Sequence, residues 1–327
     1  MKRREFVALL GAIAAWPVAA RAQTAIPVIG ILGSGAADAP SSKLQMTGLD
    51  AGMRELGLVA GRDYVFDIRW AGSDASRFSD LARELVSRNP RAMVVSTNLA
   101  ALAVQKVSPT VPIVGTGLNA PVATGLAASL AHPGGTITGV ATMAEDLQPK
   151  LLEMLRATLP RAQRVLVITN PTNPSNVPIV QALAGHAPSQ ALTLEIVKVS
   201  APADLDAAFA QLAKQPCDAV LVLTDNSLFA LAGEIVARAL AVGLPTVGSF
   251  AGTFAQVGGL YAYGRDPQEA FYGVARLLKK ILGGAAPADI PFEQPTKFNL
   301  FINLKTAKRL GIEIPPTLLA TANEVFE

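Results

Sequence analysis

The side chains that could do covalent or metal chemistry are few and poorly spaced for it. The 327-residue sequence has two histidines, His132 and His186, and one cysteine, Cys217. Neither histidine has a second ligand at zinc spacing, and both stand close to a proline in loop-like stretches. No Gly-x-Ser-x-Gly elbow offers an activated serine. Cys217 lies in Pro216-Cys217-Asp218 ahead of the apolar run 219–223 and reads as a small buried residue rather than a reactive thiol. Gly33-Ser34-Gly35-Ala36-Ala37-Asp38 follows the first expected strand as a dinucleotide-binding turn would, with Asp67 roughly where a ribose-binding acid belongs. Asp38, however, occupies the third glycine's place and would repel a pyrophosphate. A hydrolase and a dinucleotide-dependent enzyme are the weaker readings, and the sequence calls for no metal and no cofactor.

What remains is a set of small polar side chains at the ends of expected strands: Ser34, Thr97, Asn98, Thr116 and Asn119 in the first half, and Asn170, Asn173, Asn176, Asp225, Asn226 and Ser249 in the second. Such groups hold a polar ligand by hydrogen bonds without reacting with it. The same groups cap helix N-termini, where backbone N–H groups lack intrahelical acceptors, so each admits both readings. Asp225 is the most informative, because a carboxylate there either caps the helix expected near Asn226 or pairs with a cationic group of a ligand. Phe229, Phe250, Phe254, Tyr261 and Tyr263 fall in one stretch and read first as core or hinge side chains.

The elements that must position these residues follow from periodicity. Short β-rich runs alternate with longer Ala/Leu-rich runs of helical period, the pattern of parallel sheets covered by helices on both faces. Strands are expected at residues 28–32, 64–69, 92–96, 112–115, 137–141, 164–169, 193–198, 219–223, 246–248, 259–263 and 297–303. Helices are expected near 41–56, 75–87, 99–107, 146–158, 177–187, 203–213, 228–242 and 268–282. The second half copies the first: Asn89-Pro90-Arg91-Ala92-Met93-Val94-Val95 parallels Gln215-Pro216-Cys217-Asp218-Ala219-Val220-Leu221-Val222, and Val111-Pro112-Ile113-Val114-Gly115-Thr116 parallels Leu244-Pro245-Thr246-Val247-Gly248-Ser249. In this alignment Asp225 stands where Asn98 stands. Open parallel sheets bind ligands outside the carboxyl ends of their strands, so two such lobes facing each other would point both loop sets into one cleft.

A chain that is 50% hydrophobic and 16% charged is neither disordered nor a charge-rich coiled coil, and its length suits two domains or one large α/β unit. The formal charge of +3 resides in residues 1–22, which hold Lys2, Arg3, Arg4, Arg21 and Glu5. The rest is balanced and gives no electrostatic reason to expect nucleic acid as a partner. Residues 1–22 themselves read as a signal peptide: a basic start, an apolar stretch over 6–20, and Ala20-Arg21-Ala22 as a cleavage site before Gln23. Arg3-Arg4 is compatible with a twin-arginine route. The single cysteine allows no intramolecular disulfide in the oxidising destination.

Several segments carry a family resemblance. Ser129-Leu130-Ala131-His132-Pro133-Gly134-Gly135-Thr136-Ile137-Thr138-Gly139, Leu223-Thr224-Asp225-Asn226, Tyr263-Gly264, and Asn303-Leu304-Lys305-Thr306-Ala307-Lys308-Arg309-Leu310-Gly311-Ile312 make residues 26–327 resemble the substrate-binding proteins of ABC transporters, in the tryptophan/tyrosine/phenylalanine-binding group. The resemblance implies an α/β protein of type I periplasmic-binding fold, with two doubly wound parallel-sheet lobes around a cleft and three crossing segments. The lobes are expected at residues 26–142 plus 263–284 and at 143–262 plus 297–327. It implies a periplasmic monomer, not an enzyme, that passes a small organic solute, an amino acid or aromatic compound, to an ABC permease in the inner membrane. By motif, Asp225 and Asn226 match the family's Thr-Asp-Asn element, Thr97 its third-strand loop and Thr116 its fourth-strand loop. Two positions depart: Ala120 stands where members often have Asp before proline, and Phe250 follows Gly248-Ser249 where many have Asp. Phe250 joins the candidate set, and the loss of two carboxylates brings less cationic aromatic solutes into contention. A periplasmic sensor uncoupled from transport is the alternative, and an α/β enzyme the weakest reading.

The mature protein is expected to begin at Gln23. Intact-mass analysis of the periplasmic fraction checks this, and a full-length product in the cytoplasm contradicts it.

Overall fold

The structure is a computed structural model that describes residues 26–249 and 252–327. The signal peptide read over 1–22 and the candidate Phe250 lie outside the described residues. The first sheet contains β1 (Val28–Gly33), β2 (Val65–Trp70), β3 (Ala92–Val95), β4 (Ile113–Leu118) and β5 (Ile137–Ala141), all parallel, in the order β2-β1-β3-β4-β5. Its helices are α1 (Pro40–Glu55), α2 (Phe78–Val86) and α3 (Asn98–Val107). Strand residues alternate between two cores. Leu32, Met93, Val95 and Ile113 pack with α2 and α3, whereas Ile29, Ile31, Val94 and Val114 pack on the opposite face. Both faces are covered, so these strands read as unbroken apolar runs.

The chain then passes through Thr142-Met143, with Met143 in the left-handed region (φ 56°), into α4 (Ala144–Thr158). The second sheet holds β6 (Arg164–Thr169), β7 (Thr193–Lys198), β8 (Ala219–Val222), β9 (Thr246–Gly248), β10 (Tyr261–Arg265), β11 (Phe298–Asn303) and β12 (Glu324–Phe326). Its order is β12-β11-β10-β9-β8-β6-β7, with β11 antiparallel to β10 and β12 parallel to β11. The helices are α5 (Asn176–His186), α6 (Asp204–Ala210), α7 (Asn226–Ala230), α8 (Ala232–Ala241), α9 (Gly252–Gln256), α10 (Pro267–Leu282), α11 (Leu304–Leu310) and α12 (Pro316–Thr321). Among the described residues no helix is long and apolar enough to cross a membrane.

The internal repeat is present in hydrogen bonds. Met93 N–H donates to the Pro112 carbonyl (2.7 Å) and Val220 N–H to the Pro245 carbonyl (2.9 Å), so each proline-led strand docks on its neighbour in the same register. The order β7-β6-β8-β9-β10 repeats β2-β1-β3-β4-β5.

Three segments cross between the sheets: 142–143, Asp266, and 294–297. The helix after the second crossing, α10, packs on α1 through two glycines. A Cβ on Gly48 would lie 2.6 Å from Phe271 Cδ2, and one on Gly52 would lie 2.9 Å from Ala275 Cβ. Residues 287–293 stay with the first sheet, where Thr138 Oγ1 donates to the Ile290 carbonyl (2.9 Å) and Glu293 N–H to the Gly139 carbonyl (2.9 Å).

Several expected elements shift. The strand expected at 259–263 is β10 at Tyr261–Arg265, because Gly258 (φ 105°) and Gly259, where a Cβ would lie 2.4 Å from Phe254 Cδ1, form the turn out of α9. The chain therefore leaves the second sheet after Arg265 rather than at 263. The helix expected over 228–242 is two, α7 and α8, meeting at Leu231. His186 closes α5 beside Glu153 (3.3 Å) instead of lying in a loop.

Glu269 ties the second and third crossings together, accepting from Thr296 Oγ1, Thr296 N (3.1 Å) and Lys297 N (3.0 Å). Partial burial disfavours its charge, but these bonds outweigh that and hold the carboxyl below the ordinary glutamate range. A lowered folded pKa contributes stability above the unfolded value and loses it as pH falls through the folded one. Glu269→Gln is therefore expected to lower the melting temperature at neutral pH, with the deficit shrinking in acid; melts of both proteins across pH 3–7 check this.

Candidate ligand-binding cleft

The carboxyl ends of the two sheets face each other, and their loops meet. From the first lobe Ser34 follows β1, Ser96 and Thr97 follow β3, Asn119 follows β4 and Thr142 follows β5; from the second come residues 170–176 after β6, 224–226 after β8 and Ser249 after β9. Asn226 Nδ2 donates across the gap to Ser34 Oγ (2.8 Å), which also accepts from Ser96 Oγ (3.2 Å). Asn119 Nδ2 reaches Ser175 Oγ (3.3 Å) and the Thr224 carbonyl (3.4 Å).

Asn119 is held from three sides. Asn98 accepts from its backbone N–H (2.9 Å) and donates to its carbonyl (2.8 Å), and Thr142 Oγ1 donates to its Oδ1 (2.5 Å). This bracing sits next to Ala120, a non-glycine residue at φ 40°, a conformation that persists only where its surroundings enforce it. Asn98, 3% exposed, is thus a brace of the β4 turn with both ends of its amide engaged. Thr97 is the cap of α3, accepting from Ala100 N (3.1 Å). Thr116 is enclosed within β4, where the register against β5 shifts between Gly115 and Leu118, and stands apart from the network.

Asp225 is also fully engaged. Oδ1 accepts from Ser227 N (2.8 Å), Leu228 N (3.1 Å) and Asn170 Nδ2 (3.2 Å), and Oδ2 from Asn173 Nδ2 (2.7 Å). It caps α7, and Asn170 and Asn173 turn the β6 loop toward it. Asn173 in turn accepts from Ser175 N (3.1 Å) and Oγ (2.7 Å). Asn176 opens α5, donating to the Asn170 carbonyl (3.3 Å) while its buried Oδ1 has no partner. The repeat alignment paired Asp225 with Asn98, but the capping role falls to Asp225 and Thr97, because the loop after β8 is one residue longer than the loop after β3.

Sequence reasoning missed Gln148, Glu145 and Arg265. Fully buried Gln148, on α4, donates to Thr224 Oγ1 (2.9 Å) and Ser249 Oγ (2.6 Å), and its Oε1 has no partner. Glu145 lies in the first turn of the same helix with Oε2 buried and unpartnered. Burial raises its carboxyl above the ordinary glutamate range, only partly offset by backbone N–H groups of Glu145 and Ala120. An acid in a first helical turn looks in sequence like a dipole complement; the absence of Asp at 120, beside which Glu145 sits, is the one signal that could have pointed to it. Arg265 ends β10 against Gly117, and a Cβ on Gly264 would lie 2.7 Å from the Ser249 carbonyl, so only glycine lets the strand pass.

The assembled set is hydroxyls and amides with two incompletely satisfied ionisable groups, which suits holding a polar molecule. His132 and His186 do not join it, and Cys217 is buried, its thiol pushed up to about 11 by desolvation. A cavity of about 600 Å³ lined by Leu159, Arg161, Asp218, Ile312 and Pro316 lies at the amino ends of β6 and β8, opposite the cleft. A smaller one of about 320 Å³, between Met143, Lys150, Tyr263, Pro295 and Phe298, lies at the crossings.

Two similar lobes, three crossings and a polar seam between strand carboxyl ends define a two-lobed binding protein of the type I periplasmic-binding fold. The chain belongs to the ABC transporter substrate binding protein family, whose sequence profile matches residues 34–326. It is similar to a tyrosine-binding protein of Clostridioides difficile, 24% identical over 274 residues that cover 84% of this chain and 78% of that one. It superposes on the ABC domain in complex with L-Trp from Streptococcus pneumoniae with a TM-score of 0.84 at 23% identity, covering 92% of this chain and 99% of that one. With a ligand-free, open substrate-binding protein from Clostridium difficile the TM-score is 0.69 at 22% identity, over the same shares. These relatives are solute-binding proteins, not enzymes.

Replacing Asp225 with Ala is expected to cost about 1–2 kcal/mol of stability through the lost cap. Asp225→Asn should fall between, since it keeps the cap but sets an amide donor against Asn173 Nδ2. Glu145→Gln is expected to do the opposite in ligand-free protein: an acid with a raised folded pKa destabilises when ionised, so the gain should appear above the ordinary glutamate pKa and vanish in acid. Thermal melts of the three variants at pH 4 and pH 7 check all of this.

Proposed function

We propose that the protein is the exported, periplasmic solute receptor of an ABC importer, a monomer that closes its two lobes on a small organic solute and presents it to a permease in the inner membrane. The observation that carries this reading is the seam itself. Ser34 and Asn119 of one lobe bond directly to Asn226, Ser175 and Thr224 of the other, so the loops that would hold a ligand are the loops that latch the lobes. A solute that adds contacts to both sides favours the closed arrangement over the open one.

Within that reading the solute class is an amino acid or a related aromatic compound. The family, the tyrosine-binding relative and the L-Trp complex support it, and Glu145 supplies an acid beside Ala120 where the sequence lacks Asp. The proposed contacts are Ser34, Asn119, Glu145, Asn173, Asn226 and Ser249, with Thr97, Asn98, Asn176 and Asp225 shaping the loops that carry them; Thr116 and Phe250 complete the sequence-derived set.

Small-angle scattering of the protein alone and saturated with L-tryptophan or L-tyrosine is the test. Ligand-free protein is expected to sample an open form and to compact on saturation; an unchanged profile at demonstrated saturation rejects closure as the mechanism.

A further inference from the structure

Arg265 stands out among the charged residues because, on a half-buried side chain, one end of the guanidinium is buried and left without a hydrogen-bond partner. It is the last residue of β10 in the second lobe, and its guanidinium reaches the first lobe: a Cβ on Gly117 would lie 2.3 Å from Nη2 and 3.1 Å from Cζ. Glycine at 117 leaves the room this head group fills, and Thr142, whose hydroxyl binds Asn119, borders the same space. Nη1 is buried with no hydrogen-bond partner. The two carboxylates that attract it are committed elsewhere: Asp266 caps α10 through Gln268 N (2.7 Å) and Glu269 N (3.3 Å), and Glu269 holds Thr296 and Lys297. Desolvation lowers the guanidinium to about 10 despite the attraction of Asp266 and Glu269, so it remains charged at neutral pH.

A buried N–H group of a cation left without an acceptor is unfavourable, and proteins keep such groups hydrogen-bonded or paired. A planar guanidinium presents donors in a fork that matches a carboxylate.

Building on the receptor reading above, we propose that Arg265 is the anion receptor of the cleft and that the solute it selects carries a carboxylate, which completes the guanidinium's hydrogen bonds on closure. Because Arg265 belongs to one lobe and Gly117 to the other, an anion seated there adds contacts on both sides of the seam. Neutral and purely cationic solutes leave the charge unpaired and are rejected. The buried Oε2 of Glu145, an acceptor elsewhere in the cleft, then suits an ammonium on the same molecule.

The test uses three probes of one shape: L-tyrosine, its deaminated acid 3-(4-hydroxyphenyl)propanoate, and its decarboxylated amine tyramine. Calorimetric titrations of wild type should show both acids binding more tightly than tyramine. Arg265→Gln should lower affinity for the acids about 10- to 150-fold, as expected for a lost charge-assisted bond, and leave tyramine unchanged. Gly117→Ala, which keeps the arginine but displaces its head group, should reproduce the loss. Wild-type preference for tyramine, or wild-type affinity for the acids in Arg265→Gln, overturns the proposal. Wild type that ignores all three probes refutes the aromatic amino acid reading instead, and melts of ligand-free protein then decide on Arg265. A melting temperature at or above wild type in Arg265→Gln supports an unpaired receptor charge, and a lower one shows a structural role and overturns it.

Discussion

Asn119 is the point on which both lobes bear. Its backbone is clamped by Asn98 and its carbonyl oxygen atom Oδ1 by Thr142, which leaves Nδ2 aimed at Ser175 and Thr224 of the other lobe. A single buried amide thereby connects the end of β4, the first crossing segment and the loops after β6 and β8. Parallel sheets make this arrangement possible, because every strand delivers its carboxyl end, and the polar loop that follows, to the same edge. The hydrogen bonds described across the seam join amides to hydroxyls and to a backbone carbonyl. That suits a contact that must open: amides and hydroxyls released to water recover their hydrogen bonds there, whereas an apolar seam would resist separation.

The ionisable groups around the seam divide by whether their bonds are complete. Asp225 accepts four hydrogen bonds and acts as architecture, fixing the start of α7 and the shape of the 170–176 loop. Glu145 and Arg265 each keep a buried atom without a partner. Both cost stability in the ligand-free state, and strain of that kind is retained where binding relieves it. The acidic position anticipated before Pro121 is occupied by Ala120, and the nearby acid, Glu145, comes from α4 in the opposite lobe. The charge around the cleft is therefore distributed differently from what a position-by-position reading suggests.

Much of the architecture was legible in sequence because it depends on local patterns. Alternating apolar runs and helical periods placed nearly every strand of both sheets, and the duplicated Pro-led segments anticipated that β3–β4 and β8–β9 would pair alike. The misses have local causes too. Gly258 and Gly259 moved β10 by two residues, and Leu231 split one expected helix into two, neither of which periodicity can register.

By itself, then, the sequence determined the fold class, the repeat, the list of polar side chains at strand ends and the family, since these rest on residue type and spacing along the chain. Which polar residues are braces and which are free was decided only by tertiary structure. Asn98, Thr97 and Asp225 looked equivalent to Ser34 and Asn226, yet the first three direct their side chains to their own lobe while Asn226 and Ser34 bond across the gap. Gln148, Glu145 and Arg265 were not legible in the same way, because an unpaired buried atom is a property of what surrounds a residue, and those surroundings come from other segments of the chain, as Gly117 does for Arg265.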